Sequence, residues 1–217
     1  MHWNAFSNHA MAHEVTDSSS RRGMERCMRC VAPLLVLPVL VCGIAPRALT
    51  QEVSLPPDAQ AQLLMNVLTF DRSQREKLSK GIKVAVLYES SIRSSAVIAK
   101  DVAKALPGAA ELVHSRVRVV NMDMNGKADL VTRLRDQGIQ IAYIAPLRAS
   151  GISAVAQNCR AQRILTFTGV AKYLSQGVAV GLVRQGENPR VLINLPASRA
   201  AGSVFSAQLL RVARVVE

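Results

Sequence analysis

The sequence contains few of the residues from which metal and redox sites are built. Of its four histidines and four cysteines, only His114 and Cys159 lie beyond residue 50. One histidine and one cysteine cannot supply the four nitrogen and sulfur ligands of a structural zinc site. Because residues 1–50 are predicted below to be a leader, Cys159 is alone in the rest of the chain, which excludes an intramolecular disulfide there. We expect Cys159 to be a small core residue of a helix. The sequence therefore predicts no metal site and no cofactor.

Motifs for nucleophilic catalysis and for nucleotide binding are absent as well. The chain has no GxSxG turn, no GxGxxG and no phosphate-binding GxxxxGK loop. A Ser-His-Asp triad would depend on His114 alone. We therefore predict that the protein is not an enzyme. An enzyme that uses Ser90 or Ser91 as its nucleophile is the alternative least supported by the sequence.

Aromatic residues are scarce, at 4% of the chain, although the net charge is +12 from 27 basic and 15 acidic residues. Proteins that bind single-stranded nucleic acid stack the bases on aromatic side chains placed among the cations. Here the cations form no run and few aromatic residues accompany them. We expect no nucleic-acid partner, and the positive charge is compatible with an acidic protein surface.

The only long apolar run is Val31–Ala45, which follows Arg26 and Arg29 and precedes small and polar residues. This order is typical of a secretory signal peptide. The run has 15 residues, fewer than the roughly 20 that span a bilayer, and two prolines interrupt it. A retained N-terminal anchor is the alternative.

Residues 1–50 are therefore predicted to be a leader, with the signal peptide at about 24–50 and cleavage between Ala48 and Gln51. Residues 1–23 are polar and unpatterned, and we interpret them as lying upstream of the true start at Met24. Residues 51–217 form one predicted exported domain. This domain keeps 22 basic and 12 acidic residues, a net charge of +10.

Strands and helices alternate through most of this domain, as βαβ units do. Apolar β-branched runs predict strands at Ile82–Glu89, Val117–Met122, Ile139–Ala145 and Ile164–Thr168. Spacings of three and four between apolar residues predict helices at Asp58–Phe70, Ser94–Leu106, Gly126–Asp136 and Ser150–Arg160. We expect Asp58 to cap the first helix, Pro107-Gly108 to stop the second and Gly138 to close the third.

The last fifty residues predict a different ending. Gly177–Val183 and Arg190–Leu195 read as the two strands of a hairpin, joined by turn formers at Arg184–Pro189. A closing helix is predicted from Pro196 to Val216. The predicted fold class is thus α/β, a three-layer fold with a mainly parallel sheet, a C-terminal β-hairpin and a closing helix.

Open parallel sheets bind ligands at the carboxyl ends of their strands. The polar residues predicted at these ends make Ser90, Ser91, Arg148 and Thr168 candidate ligand-binding residues. The alternative interpretation is that they are turn formers and caps, since turns use the same residue types.

The order of these elements resembles the YfiR family of exported proteins over nearly all of residues 51–217. The resemblance rests on LLMNVLTFDR, IKVAVLYES, ILTFTGV, the hairpin and SVFSAQLLRVARVV, with Ile193-Asn194, Ser206 and Leu209-Leu210 matching the family's tail. Beyond residue 50 the chain keeps one cysteine where better-known members have pairs, and Leu68–Arg72 replaces an aromatic Phe-x-x-Trp-Pro ending. These departures indicate a divergent branch.

The resemblance implies a periplasmic repressor that binds the sensor domain of a membrane diguanylate cyclase, lowering cyclic-di-GMP and biofilm formation. It also implies that the protein can form a homodimer and meets the membrane only through its partner. The alternative is a periplasmic small-ligand binding module that resembles half of a solute-binding protein, with the strand-end residues as its site.

Overall fold

A seven-stranded sheet runs through the centre of the computed structural model, which describes residues 55–125 and 129–216. The strand order is β2-β1-β3-β4-β5-β6-β7, and every neighbouring pair is parallel except β5 with β6. The strands are β1 Ile82–Tyr88, β2 Val117–Asp123, β3 Ile141–Ile144, β4 Leu165–Thr168, β5 Val180–Gln185, β6 Asn188–Asn194 and β7 Arg214–Val216. The predicted leader, with Cys27, Cys30 and Cys42, and the predicted helix start at Gly126 lie outside the described residues.

Helices cover both faces of the sheet. They are α1 Pro57–Thr69, α2 Arg75–Lys80, α3 Arg93–Glu111, α4 Leu130–Asp136, α5 Ala149–Ala161, α6 Leu195–Ala200 and α7 Ala207–Val212, with a 3-10 helix at Ala171–Gln176. Because side chains alternate along a strand, Val84 and Val86 of β1 pack with α1 and α3, whereas Ala85 and Leu87 pack with α4 and α5. The predicted three-layer α/β class with a mostly parallel sheet is confirmed.

The β5–β6 hairpin is antiparallel as predicted, but its turn is shorter. Gln185 pairs with Asn188, which leaves only Gly186 and Glu187 between the strands. Gly186 has a φ of +61°, a conformation that glycine adopts without steric cost. The strands therefore extend over residues that we had assigned to the turn.

The prediction that Pro107-Gly108 ends the second helix is wrong, because α3 continues to Glu111. An interior proline costs roughly 3 kcal/mol. The extra turn buries Ala109 and Ala110, at 4% and 1% exposure, in the main core, and this burial recovers part of that cost. The apolar spacing predicts that Val97, Ile98, Val102 and Leu106 face inward. Val102 and Leu106 are fully buried, whereas Val97 is 50% exposed.

The predicted closing helix is also wrong. The segment after β6 forms two six-residue helices, α6 and α7, followed by β7 along β6. Gly202 breaks the run at a φ of +83°, and the Ser206 hydroxyl caps α7 by accepting from the Leu209 N–H at 3.4 Å. Val215, which is β-branched, pairs with Ile193 instead of extending a helix.

Two smaller predictions near the first helix are corrected. Asp58 does not cap α1, which begins after Pro56 with no side-chain cap bond. The charged composition of Asp71–Gly81 predicts an irregular connection, but the segment contains α2 and begins at a fully buried Asp71. In the described part of the chain, no helix combines the length and the apolar character needed to cross a membrane.

Candidate functional site

The candidate site lies at the carboxyl ends of β1, β2 and β3. Glu89 follows β1, Asp123 ends β2, and Arg148 follows β3 immediately before α5. Because the carboxyl ends of neighbouring parallel strands share one edge of the sheet, residues distant in sequence meet here. Ser90, Ser91 and Asn125 complete this strand-end cluster.

An ion pair between Glu89 and Arg148 is the centre of the cluster. Arg148 Nε lies 3.0 Å from Glu89 Oε1, and the Arg148 backbone N–H donates to Oε2 at 3.2 Å. The Ser91 hydroxyl also donates to Oε1, at 3.0 Å. The Glu89 side chain is 11% exposed and that of Arg148 is 69% exposed. The carboxylate is thus nearly buried and fully paired, while the guanidinium reaches the surface.

The loop after β2 is hydrogen-bonded to the loop after β1 through Asn125. The network assigns the Asn125 amide with its oxygen accepting from the backbone N–H groups of Ser91 and Ser90, at 2.8 and 3.0 Å, and with its nitrogen donating to Ser91 Oγ at 3.1 Å. Asp123 Oδ1 accepts from the N–H groups of Ser90 and Asn125. The side-chain hydrogen bond with Ser90, followed by the backbone bond from Asn125, lowers the pKa of Asp123.

Three of the four predicted site residues come together in this cluster, and Thr168 lies apart from them. Thr168 is fully buried, its hydroxyl donates to the Ile144 carbonyl at 2.9 Å, and it accepts from the Val170 N–H at 3.2 Å. Its hydroxyl therefore holds the end of β4 against β3.

Sequence reasoning did not name Glu89, Asp123 and Asn125 as site residues. The available signal was a carboxylate directly after a strand, Glu89, with a basic residue after the neighbouring strand. Tyr173 was missed too: its hydroxyl accepts from the Leu147 N–H at 2.9 Å and donates to the Leu147 carbonyl at 2.8 Å. This pair of bonds holds the loop that carries Arg148.

The cluster is better suited to binding than to nucleophilic catalysis. The Ser91 hydroxyl donates to Glu89 and accepts from Arg148 Nη2 at 3.3 Å. His114 precedes β2, at the opposite end of the sheet from Ser90 and Ser91, so within residues 55–125 and 129–216 no imidazole lies beside these hydroxyls. The guanidinium keeps N–H groups that point to solvent, which suit a carboxylate or another oxygen acceptor. Among the described residues, no group of three or more His, Cys, Asp or Glu side chains could hold a metal ion.

A family model described as YfiR/HmsC-like matches residues 57–214. The match includes every strand of the sheet except the end of β7 and every residue of the strand-end cluster. No curated protein matches the chain.

Solved structures with the same fold are distant in sequence. The ABC domain from Streptococcus pneumoniae, solved in complex with L-Trp, superposes with a TM-score of 0.55 at 14% identity, covering 72% of this chain and 60% of that one. A conserved domain protein from Vibrio cholerae gives 0.54 at 14% identity, covering 76% and 61%. This chain therefore spans about 60% of the length of these relatives, and the likeness shows the fold alone.

Proposed function

We propose, from the premise that this chain belongs to the YfiR/HmsC-like family, that it is an exported regulatory binding protein and not a catalyst. It binds the periplasmic sensor domain of a membrane diguanylate cyclase and holds the cyclase inactive. Cyclic-di-GMP and biofilm formation are then low while the complex persists. The family match over residues 57–214 is the observation that carries this proposal.

Charge and leader support the same proposal. The chain after residue 50 has a net charge of +10, which favours association with an acidic partner surface. The apolar run after Arg26 and Arg29 would deliver the domain to the compartment where a sensor domain is exposed. A homodimer belongs to the proposal as well, and light scattering on the purified protein tests it.

Intracellular cyclic-di-GMP tests the regulatory role directly. Deleting the gene should raise cyclic-di-GMP relative to the parent strain, and a plasmid copy of the full chain should restore the parental level. A copy that lacks residues 1–50 is the matched control, because it should fold but stay in the cytoplasm. An unchanged level after deletion would remove the regulatory proposal and leave the fold untouched.

The proposed export has its own readout. The mature protein, recovered from the periplasmic fraction, should begin between Ala48 and Gln51 by N-terminal mass mapping. An intact N-terminus in the membrane fraction would favour the retained anchor.

A second candidate function is binding of a small carboxylate at the strand-end cluster. It is favoured by the solvent-facing N–H groups of Arg148, held in place by the nearly buried Glu89. Amino acids and small dicarboxylates should then raise the melting temperature of the wild type but not of Arg148→Ala or Ser90→Ala. Arg135→Ala, an exposed arginine of α4, is the matched control. A shift that survives Arg148→Ala would place the ligand elsewhere.

A further inference from the structure

The outer edge of β2 has backbone groups that pair with no strand in the described part of the chain. Ile82 N–H donates to the Arg116 carbonyl at 2.9 Å, and Met124 N–H donates to the Tyr88 carbonyl at 2.7 Å. Backbone groups alternate in direction along a strand, so the even-numbered residues of β2 face β1. Val117, Val119 and Asn121 consequently direct their N–H and C=O groups outward, where no described strand pairs with them. Such an edge is a template for another strand.

The amino end of this edge is strongly basic. A cleft of about 450 Å³ lies where β1 and β2 begin, and its lining contains four cations and no acid: Lys80, Lys83, Arg116 and Arg118. Lys83 and Arg118 are direct neighbours in the β1–β2 register. Both Arg116 and Arg118 are exposed, and within residues 55–125 and 129–216 neither guanidinium forms an ion pair. The adjacent positive charges repel one another, and an anion placed in the cleft would relieve that repulsion.

We infer that β2 and this cleft form the docking surface for an extended acidic segment of the partner, which adds to the sheet as an eighth strand. This inference rests on the proposed function, because the segment belongs to the cyclase sensor domain. The seven residues of β2 give an edge roughly 20 Å long. Main-chain hydrogen bonds to Val117, Val119 and Asn121 hold the segment, and its carboxylates meet Arg116 and Arg118.

The open backbone distinguishes a polypeptide from other anions. A phosphate or a lipid headgroup could neutralise the arginines, but only another strand satisfies outward N–H and C=O groups together. Arginines on an edge strand can also serve merely to prevent self-pairing. Reversing their charge separates the two roles, because glutamates on an edge strand also prevent self-pairing but repel an acidic partner.

The experiment measures cyclic-di-GMP in the deletion strain complemented with full-length variants. Arg116→Glu with Arg118→Glu should leave cyclic-di-GMP at the level of the deletion strain. The matched control is Arg211→Glu with Arg214→Glu, which makes the same charge change on exposed arginines of α7 and β7, at the opposite edge of the sheet, and should repress normally. The neutral pair Arg116→Gln with Arg118→Gln should weaken repression partially. Periplasmic protein level and melting temperature are measured for each variant.

Backbone pairing is tested at Asn121. Asn121→Pro removes an outward N–H that makes no bond to β1, whereas Asn121→Ala keeps it. Repression should fall with proline and persist with alanine. Normal repression by folded Asn121→Pro would overturn strand addition.

The outcomes separate the two levels of inference. If deletion raises cyclic-di-GMP but the Arg116 and Arg118 reversal represses like the wild type, this docking surface is wrong and the proposed function stands. If the β7-edge control loses repression instead, the partner docks at that edge and the inference is overturned. If deletion leaves cyclic-di-GMP unchanged, both fail. Suppressors of the reversal that change acidic residues to basic ones in a membrane cyclase would support the docking surface.

Discussion

Replacing Asp71 tests how the C-terminal segment is attached to the rest of the domain. Asp71 is fully buried at the end of α1, and its Oδ1 accepts from the Ser73 N–H at 2.9 Å, the Ser73 hydroxyl at 2.7 Å and the Val204 N–H at 3.0 Å. The last bond joins residues 133 positions apart. Backbone bonds from Arg72 to Val204 and from Ser206 to Phe70 reinforce the same junction.

Asp71→Ala should lower the free energy of unfolding by about 2 to 3 kcal/mol. The three accepted hydrogen bonds contribute roughly 1 kcal/mol each. One compensation reduces the loss, because Oδ2 is buried without a partner among the described residues and its removal ends a desolvation cost. Asp71→Asn keeps an acceptor for all three donors and should recover most of the lost stability.

Urea unfolding followed by circular dichroism measures these differences, provided that the m value is unchanged. Asp101→Ala, an exposed aspartate of α3, is the matched control and should lose no stability. Amide exchange in residues 203–216 should accelerate in Asp71→Ala, since α7 and β7 follow the junction. A loss below about 0.5 kcal/mol, or equal losses for alanine and asparagine, would refute this account, because surface changes alone are of that size.

Three further predictions follow from local geometry. Burial raises the pKa of Cys159 to about 12, so iodoacetamide at pH 8 should label Cys159 only after unfolding, as read by peptide mass mapping; rapid labelling of the native protein would contradict its burial. Asp129 caps α4, and hydrogen bonds from the Thr132 hydroxyl and then the Val131 N–H lower the pKa of Asp129 from 3.8. The wild type should therefore be more stable than Asp129→Ala above pH 3.8, and this advantage should disappear as the pH falls through the lowered pKa of the folded state. A stability difference that does not change with pH would exclude this linkage. Gly138→Ala should destabilise the protein by about 1 kcal/mol, because Gly138 has a φ of +61°. Gly108→Ala, in the interior of α3, should stabilise it by up to about 1 kcal/mol, because nothing lies within 4 Å of the new Cβ. If thermal unfolding gives both changes the same sign, the assignment of Gly138 as the helix stop is refuted.

Apart from α2, the strands and helices from α1 to β4 could be predicted because their signals are local. The run at Ile82–Glu89 is apolar on both faces, and the structure places it between β2 and β3 with both faces covered. Gly138 was predicted to close its helix, and it does so with N–H bonds from Gly138 to Arg135 and from Ile139 to Leu134. These outcomes depend on residues only a few positions apart.

The candidate site was predictable only in part. The rule that ligands bind at the carboxyl ends of strands led to Ser90, Ser91 and Arg148, which do lie together. The same rule led to Thr168, which is buried between strands. Which polar residue at a strand end faces solvent depends on the register and on the packed helices, and a single sequence does not reveal either. Asn125, which is 34 residues from Ser91, was invisible for the same reason.

The sequence by itself determined the α/β class, the first four strands along the chain and the hairpin, because hydrophobic periodicity and turn residues act over short spans. The family was indicated separately, by the resemblance of several short motifs. Tertiary structure decided where helices end and which elements the C-terminal residues form, at places where the local sequence signals conflict. Pro107-Gly108 lies inside α3 whereas Gly138 ends α4, and the turn of α3 beyond Pro107 packs Ala109 and Ala110 into the core. The residues after Leu195 became two helices and a strand because the open side of β6 offered Val215 backbone partners. Burial and pairing with distant strands contribute several kcal/mol, more than the propensities that a linear pattern records.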